Sequence, residues 1–107
     1  MADWQRVCSI KDLRDGEPRE AKLGKASIAI VRVGEECFAV DDICTHAYAQ
    51  MSTGFVEGHL IICPLHGASF DLRTGRCVDP PADQDIRCHA VRLEGDDVLI
   101  DAAGIER

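Results

Sequence analysis

Hydrophobic and polar residues alternate in short runs punctuated by glycine-containing turns, and nothing in the chain reads as a long amphipathic helix. Trp4-Gln5-Arg6-Val7-Cys8 predicts a short edge strand, and Ser9-Ile10-Lys11-Asp12-Leu13 a single helical turn capped by Ser9 and closed by Asp15-Gly16. Strands are expected from Pro18 to Leu23 and from Ala26 to Val33, joined by a turn at Gly24-Lys25. Within the second, Ile28-Ala29-Ile30-Val31 is apolar enough for a core strand. Gly34-Glu35-Glu36 turns the chain back into Cys37-Phe38-Ala39-Val40, which delivers Asp41-Asp42-Ile43 to a stretch of different character. Beyond it, Gly54 to His59 reads as a hairpin tip, Leu60 to Cys63 as a strand, Ser69 to Leu72 as another, and Arg73-Thr74-Gly75-Arg76 as a turn for which glycine supplies backbone freedom. Pro80-Pro81 forbids regular structure, and Pro80 is a plain strand breaker. Ile86 to Leu93 and Val98 to Asp101 predict a last hairpin around Glu94-Gly95-Asp96-Asp97, followed by a loose tail. Many short strands with frequent turns indicate an all-β antiparallel sandwich or partly open barrel.

The stretch of different character runs from Cys44 to His66. It contains two cysteine–histidine pairs, Cys44-x-His46 and Cys63-x-x-His66, with 16 residues between them. Two soft thiolates and two imidazoles imply a metal centre, and the donor count fits either tetrahedral zinc or a mixed-ligand iron–sulfur cluster. The interleaving favours the cluster. Zinc fingers place two cysteines on one knuckle and two histidines on a helix, whereas here each loop supplies one of each.

Cys44-Thr45-His46 together with Cys63-Pro64-Leu65-His66-Gly67 resembles the signature of Rieske [2Fe–2S] proteins, and Arg73-Thr74-Gly75-Arg76 and Pro80-Pro81 extend the likeness. Length and spacing are similar to those of the small Rieske ferredoxins of bacterial ring-hydroxylating dioxygenase systems. The resemblance implies one [2Fe–2S] cluster per chain, with Cys44 and Cys63 on one iron and His46 and His66 on the other. It implies a single Rieske domain over residues 1–107, with base sheets from about 1–41 and 81–107 and an inserted cluster-binding subdomain from about 42–80. It implies an electron carrier, not an enzyme, working between an NAD(P)H-dependent flavoprotein reductase and a terminal Rieske oxygenase that hydroxylates aromatic compounds. Alternatives are the Rieske-like small subunit of a nitrite reductase, a ferredoxin for another oxygenase, and a zinc-stabilised interaction module.

Two ferric ions, two sulfides and two thiolates sum to zero charge beside neutral imidazoles. One added electron therefore meets less repulsion than in an all-thiolate cluster, and the potential is higher. Respiratory Rieske proteins carry an extra cysteine in each loop and a serine near the cluster, at positions that here correspond to Ala49, Leu65 and Ala68. Without those groups the expected potential is at the low end, roughly −150 mV. Pro64 and Pro81 match rigid positions flanking the cluster, and Gly67 is expected to allow close backbone approach or to serve as a turn glycine. Tyr48 with Ala47, Ala49 and Ala68 is expected to form a small apolar tip where partners dock.

The composition sharpens the exclusions. Twelve basic against nineteen acidic residues give a formal charge of −7, unsuited to nucleic acid and suited to a carrier that meets basic docking patches. No run approaches the roughly 20 apolar residues of a membrane span, and the first residues lack a secretory signal, so a cytoplasmic monomer with no membrane partner is expected. No nucleophile with its base and no phosphate-cradling glycine loop is apparent. Cys8, Cys37, Cys77 and Cys88 are expected as packed structural thiols, with a disulfide as the alternative. His59 and His89 are expected as ordinary strand or turn residues.

Overall fold

The computed structural model describes residues 2–43, 49–65, 67–79 and 85–105. The described chain is nearly all β, built on eleven strands: β1 Trp4–Ser9, β2 Pro18–Leu23, β3 Ala26–Val33, β4 Glu36–Asp41, β5 Phe55–Glu57, β6 Leu60–Ile62, β7 Ser69–Asp71, β8 Cys77–Asp79, β9 Cys88–His89, β10 Val91–Glu94 and β11 Asp97–Asp101. They form three antiparallel sheets, ordered β1-β11-β10, β2-β3-β4-β9 and β5-β6-β7-β8.

β3 explains why its central residues are apolar without a break. Successive side chains on a strand point to opposite faces, and both faces of β3 are covered. Ile28 and Ile30 enter a core with Leu23 of β2, Val98 and Ile100 of the first sheet, and Leu13 after the turn that follows β1. Ala29 and Val31 enter a second core with Met51, Ile61, Phe70, Leu72 and Ile86. β4 repeats the division, with Ala39 in the first core and Val40 in the second.

Ser9 caps a 3-10 turn at Ile10–Asp12: its side chain accepts from the Lys11 N–H, and the Asp12 carboxylate accepts from the Ser9 N–H. β2 and β3 have the bounds expected from the sequence, and β4 begins at Glu36.

Four expectations are corrected. The run Ile86 to Leu93 is two strands: β9 pairs with β4 and β10 with β11, so the chain changes sheets at Ala90, whose carbonyl accepts the Asp101 N–H at 3.0 Å. The segment from Gly54 to His59 is more than a hairpin tip, because Phe55–Glu57 pairs with β6 and only Gly58-His59 turns. A 3-10 turn at Met51–Thr53 and the short strand β8 appear where no element was expected. The tail is tied down as far as residue 105: Ala102 is buried, its N–H donates to Asp3 O at 2.7 Å, Arg87 donates to Gly104 O at 3.1 Å, and Ile105 packs on the first core. Pro80 and Pro81 lie outside the described residues.

Candidate metal centre

β6 runs from Leu60 to Ile62 and feeds directly into Cys63, which is 1% exposed and packs in the second core. The Cys63 N–H donates to Ala68 O at 2.8 Å and its carbonyl accepts the Gly67 N–H at 3.1 Å, so Cys63 is bonded directly to the two residues that follow the second ligand position. Gly67 has φ +75°, a conformation that side chains disfavour, and this backbone requirement accounts for the glycine. Pro64 and Leu65 are exposed, Leu65 at 62%, so the loop presents one flank to solvent and turns its cysteine inward.

The turn after β7 is held by bonds of its own. Asp71 accepts from the Arg73 N–H at 2.9 Å and from both arms of its guanidinium at 3.1 and 3.0 Å, and these bonds hold the Asp71 carboxyl below the usual carboxylate range. Gly75, at φ +79°, lies so close to the Ile86 carbonyl that a Cβ would collide with it, while its own carbonyl accepts the Ile86 N–H at 2.8 Å. The glycine expected for turn freedom is therefore also a point of close packing.

The first ligand loop leaves the scaffold at the end of β4. Ile43 pairs with Gln50 in an isolated antiparallel bridge, and Asp42, fully buried, accepts hydrogen bonds from Ser27, Gln50 and the Ser52 N–H. Burial pushes the Asp42 carboxyl up, but the bonds from Ser27, Ser52 and Gln50 together outweigh it, leaving the group below its ordinary value. A buried acid in an Asp-Asp pair carries no sequence signal that separates it from a solvated turn residue, and sequence reasoning missed it.

Of the four expected ligands, Cys63 is described; Cys44, His46 and His66 lie outside the described residues, as do Ala47 and Tyr48. A soft sulfur donor shielded from water, with the chain on either side of the first ligand segment joined by a bridge at Ile43 and Gln50, fits an iron–sulfur centre by the chemistry of its donor. The expected apolar tip needs correction. Ala49 is 7% and Ala68 0% exposed, and both belong to the second core, where their small side chains turn inward beneath the loops. Among the described residues, the exposed apolar side chains next to ligand positions are Leu65, before His66, and Ile43, before Cys44.

The remaining cysteines and histidines have packing roles. Cys8 is buried and Cys37, Cys77 and Cys88 are half-buried against the two cores. Burial pushes the thiols of Cys8, Cys37 and Cys88 up, which keeps them protonated and unreactive at neutral pH. The His59 ring meets Phe38 edge to face, with centroids 5.5 Å apart, joining the β5–β8 sheet to β4. His89 is buried, with Nε2 2.7 Å from Asp41 Oδ1.

The family model describing the Rieske [2Fe-2S] domain matches residues 3–90. The ferredoxin component of biphenyl 2,3-dioxygenase from Rhodococcus jostii (strain RHA1) is 41% identical over 99 residues, covering 92% of each chain. Among solved structures, the Sphingomonas yanoikuyae B1 ferredoxin is similar at TM-score 0.87 and 35% identity, over 92% of this chain and 98% of its own. A chain from the complex of reduced oxygenase and oxidized ferredoxin in carbazole 1,9a-dioxygenase is similar at TM-score 0.85 and 32% identity, over 92% of each. The zinc module is set aside by these matches, and the fold, the buried cysteine and the shared sequence lead to one assignment: the chain belongs to the Rieske [2Fe-2S] family, among the electron-carrying ferredoxin components of dioxygenase systems.

Proposed function

We propose that this chain takes electrons singly from an NAD(P)H-dependent flavoprotein reductase and delivers them to a terminal Rieske oxygenase that hydroxylates aromatic compounds. In this reading Cys44 and Cys63 hold one iron and His46 and His66 the other, residues about 42 to 80 form an inserted subdomain around them, and the chain works as a cytoplasmic monomer. When bound, the cluster accepts and returns one electron without bond chemistry on a substrate.

The observation that carries the reading is the asymmetry of the second loop, with Cys63 sealed in the core and Leu65 exposed next to the His66 position. β6 and its partners exclude water from the thiolate, while Leu65 offers an apolar contact through which a partner can approach the histidine side. The formal charge of −7 suits steering toward basic partners. The similar chain in the carbazole 1,9a-dioxygenase structure comes from a complex of reduced oxygenase and oxidized ferredoxin, which supports the oxygenase as recipient. No helix among the described residues is long and apolar enough to cross a membrane.

The direct test is purification under anaerobic conditions. Iron and acid-labile sulfide in equal amounts, a Rieske-type electron paramagnetic resonance signal on reduction, and turnover with a flavoprotein reductase and a Rieske oxygenase support the reading; colourless protein refutes it. Leu65→Glu is expected to weaken transfer to the oxygenase by about tenfold in apparent affinity, equivalent to ~1.4 kcal/mol, with the potential unchanged. Unchanged oxygenase kinetics would remove Leu65 from the docking surface. A redox titration should give roughly −150 mV at neutral pH. The potential should then fall in the alkaline range as a ligand imidazole of the oxidised form sheds its outer proton. A clearly positive or pH-independent potential contradicts this.

A further inference from the structure

Asp42 is 0% exposed and stands two residues before Cys44. Its Oδ2 accepts from Ser27 Oγ at 2.7 Å and Gln50 Nε2 at 2.9 Å, and its Oδ1 accepts from the Ser52 N–H at 2.7 Å. Its backbone is held as well: the N–H donates to Ser27 O at 3.1 Å and the carbonyl accepts the Met51 N–H at 2.5 Å. Glu20 on β2 joins from the rim, its Oε2 accepting from Ser27 Oγ at 2.6 Å and Gln50 Nε2 at 2.7 Å. The two amide hydrogens of Gln50 serve one carboxylate each, and Ser27 shares its single hydroxyl hydrogen between them. One network therefore ties β2 and β3 of the scaffold to the residues on both sides of the first ligand segment, Asp42 before it and Gln50 and Ser52 after it.

Packing alone does not explain a carboxylate here. A buried charge is costly unless hydrogen-bonded, and an apolar side chain would fill the volume at lower cost. What the carboxylate adds is direction, because each bond fixes an angle as well as a distance and bonds to a charged acceptor are the strong ones. Ligand orientation at metal centres is set by such outer contacts.

We propose that Asp42 is the positioning residue of the first ligand loop, fixing how Cys44 and His46 are presented by locking Gln50 and Ser52 to Ser27. The proposal rests on the ligand set given under the proposed function. Its test uses the cluster-loaded protein and three variants: Gln50→Ala and Ser27→Ala, which loosen the network while leaving the buried charge in place, and Ser9→Ala, which removes the cap of the 3-10 turn at Ile10–Asp12 as a control for general destabilisation. The readouts are the rate of iron release to a chelator, the width and g-values of the electron paramagnetic resonance signal, and the melting temperature. Gln50→Ala and Ser27→Ala should release iron about tenfold faster and broaden the signal, beyond anything Ser9→Ala does at a comparable loss of melting temperature. Asp42→Asn, where it folds, should show both effects more strongly. Release rates and spectra unchanged in Gln50→Ala and Ser27→Ala, or changed equally in Ser9→Ala, overturn the proposal while leaving the carrier reading intact. Wild-type protein without a Rieske signal overturns both.

Discussion

Cys63→Ala is expected to yield protein with no bound iron or acid-labile sulfide and no visible colour, yet with its β-sheet circular dichroism intact. As the expected ligand at the end of β6, Cys63 has no counterpart in the same loop among the described cysteines: Cys8 and Cys37 lie in the other core, Cys77 is in β8, and the Cys88 sulfur is hydrogen-bonded at 3.5 Å to the carbonyl of Leu72. Alanine keeps the two backbone bonds that shape the loop, to Ala68 and Gly67, because neither uses the side chain. The bulk of the surrounding core comes from Phe70, Ile61, Met51 and Leu72, all fully buried, so removing one sulfur leaves a small defect. Loss of the metal is thereby separated from loss of the fold. Iron content equal to wild type in Cys63→Ala would remove this residue from the ligand set.

Phe70→Ala is expected to destabilise the protein by about 3–5 kcal/mol, the usual cost of deleting a buried aromatic ring. Among the described residues Phe70 is the largest fully buried side chain, and its strand β7 lies between β6, which leads into Cys63, and β8. Against a total stability of roughly 5–15 kcal/mol for a domain of ordinary size, such a loss brings the variant near its unfolding threshold. The melting temperature should fall by at least about 12 °C, at roughly 4 °C per kcal/mol. Thermal unfolding followed by circular dichroism decides it. A fall of only a few degrees would mean that neighbouring side chains close the cavity.

Where local chemistry determines structure, the sequence was sufficient. β2 and β3 were legible to the residue because alternation and the Gly24-Lys25 turn bound them, and the Ser9 cap was legible because its hydrogen bonds close within four residues. The elements that escaped are set by distant partners. β5 and β8 each span three residues and exist only through pairing with β6 and β7. The break at Ala90 is invisible to periodicity, since alternation continues across it while the pairing partner changes from β4 to β11. Alanine is small enough for either side of a loop, so Ala49 and Ala68 gave no sign that they face the core. At the site, the donor types and their spacing pointed to the chemistry directly. The buried network around Asp42, assembled from residues as far apart as 20 and 52, did not.

The centre of β3 has no side left over for solvent. A polar substitution at Ile28 or Ile30 lands among the residues packed on the first sheet, and one at Ala29 or Val31 lands beneath the strands leading to Cys63. A slip of one position along the strand would exchange bulky isoleucines for alanine and valine in both places at once. The centre of β3, which carries none of the expected ligands itself, is thus constrained on both faces and tolerates polar replacement at neither.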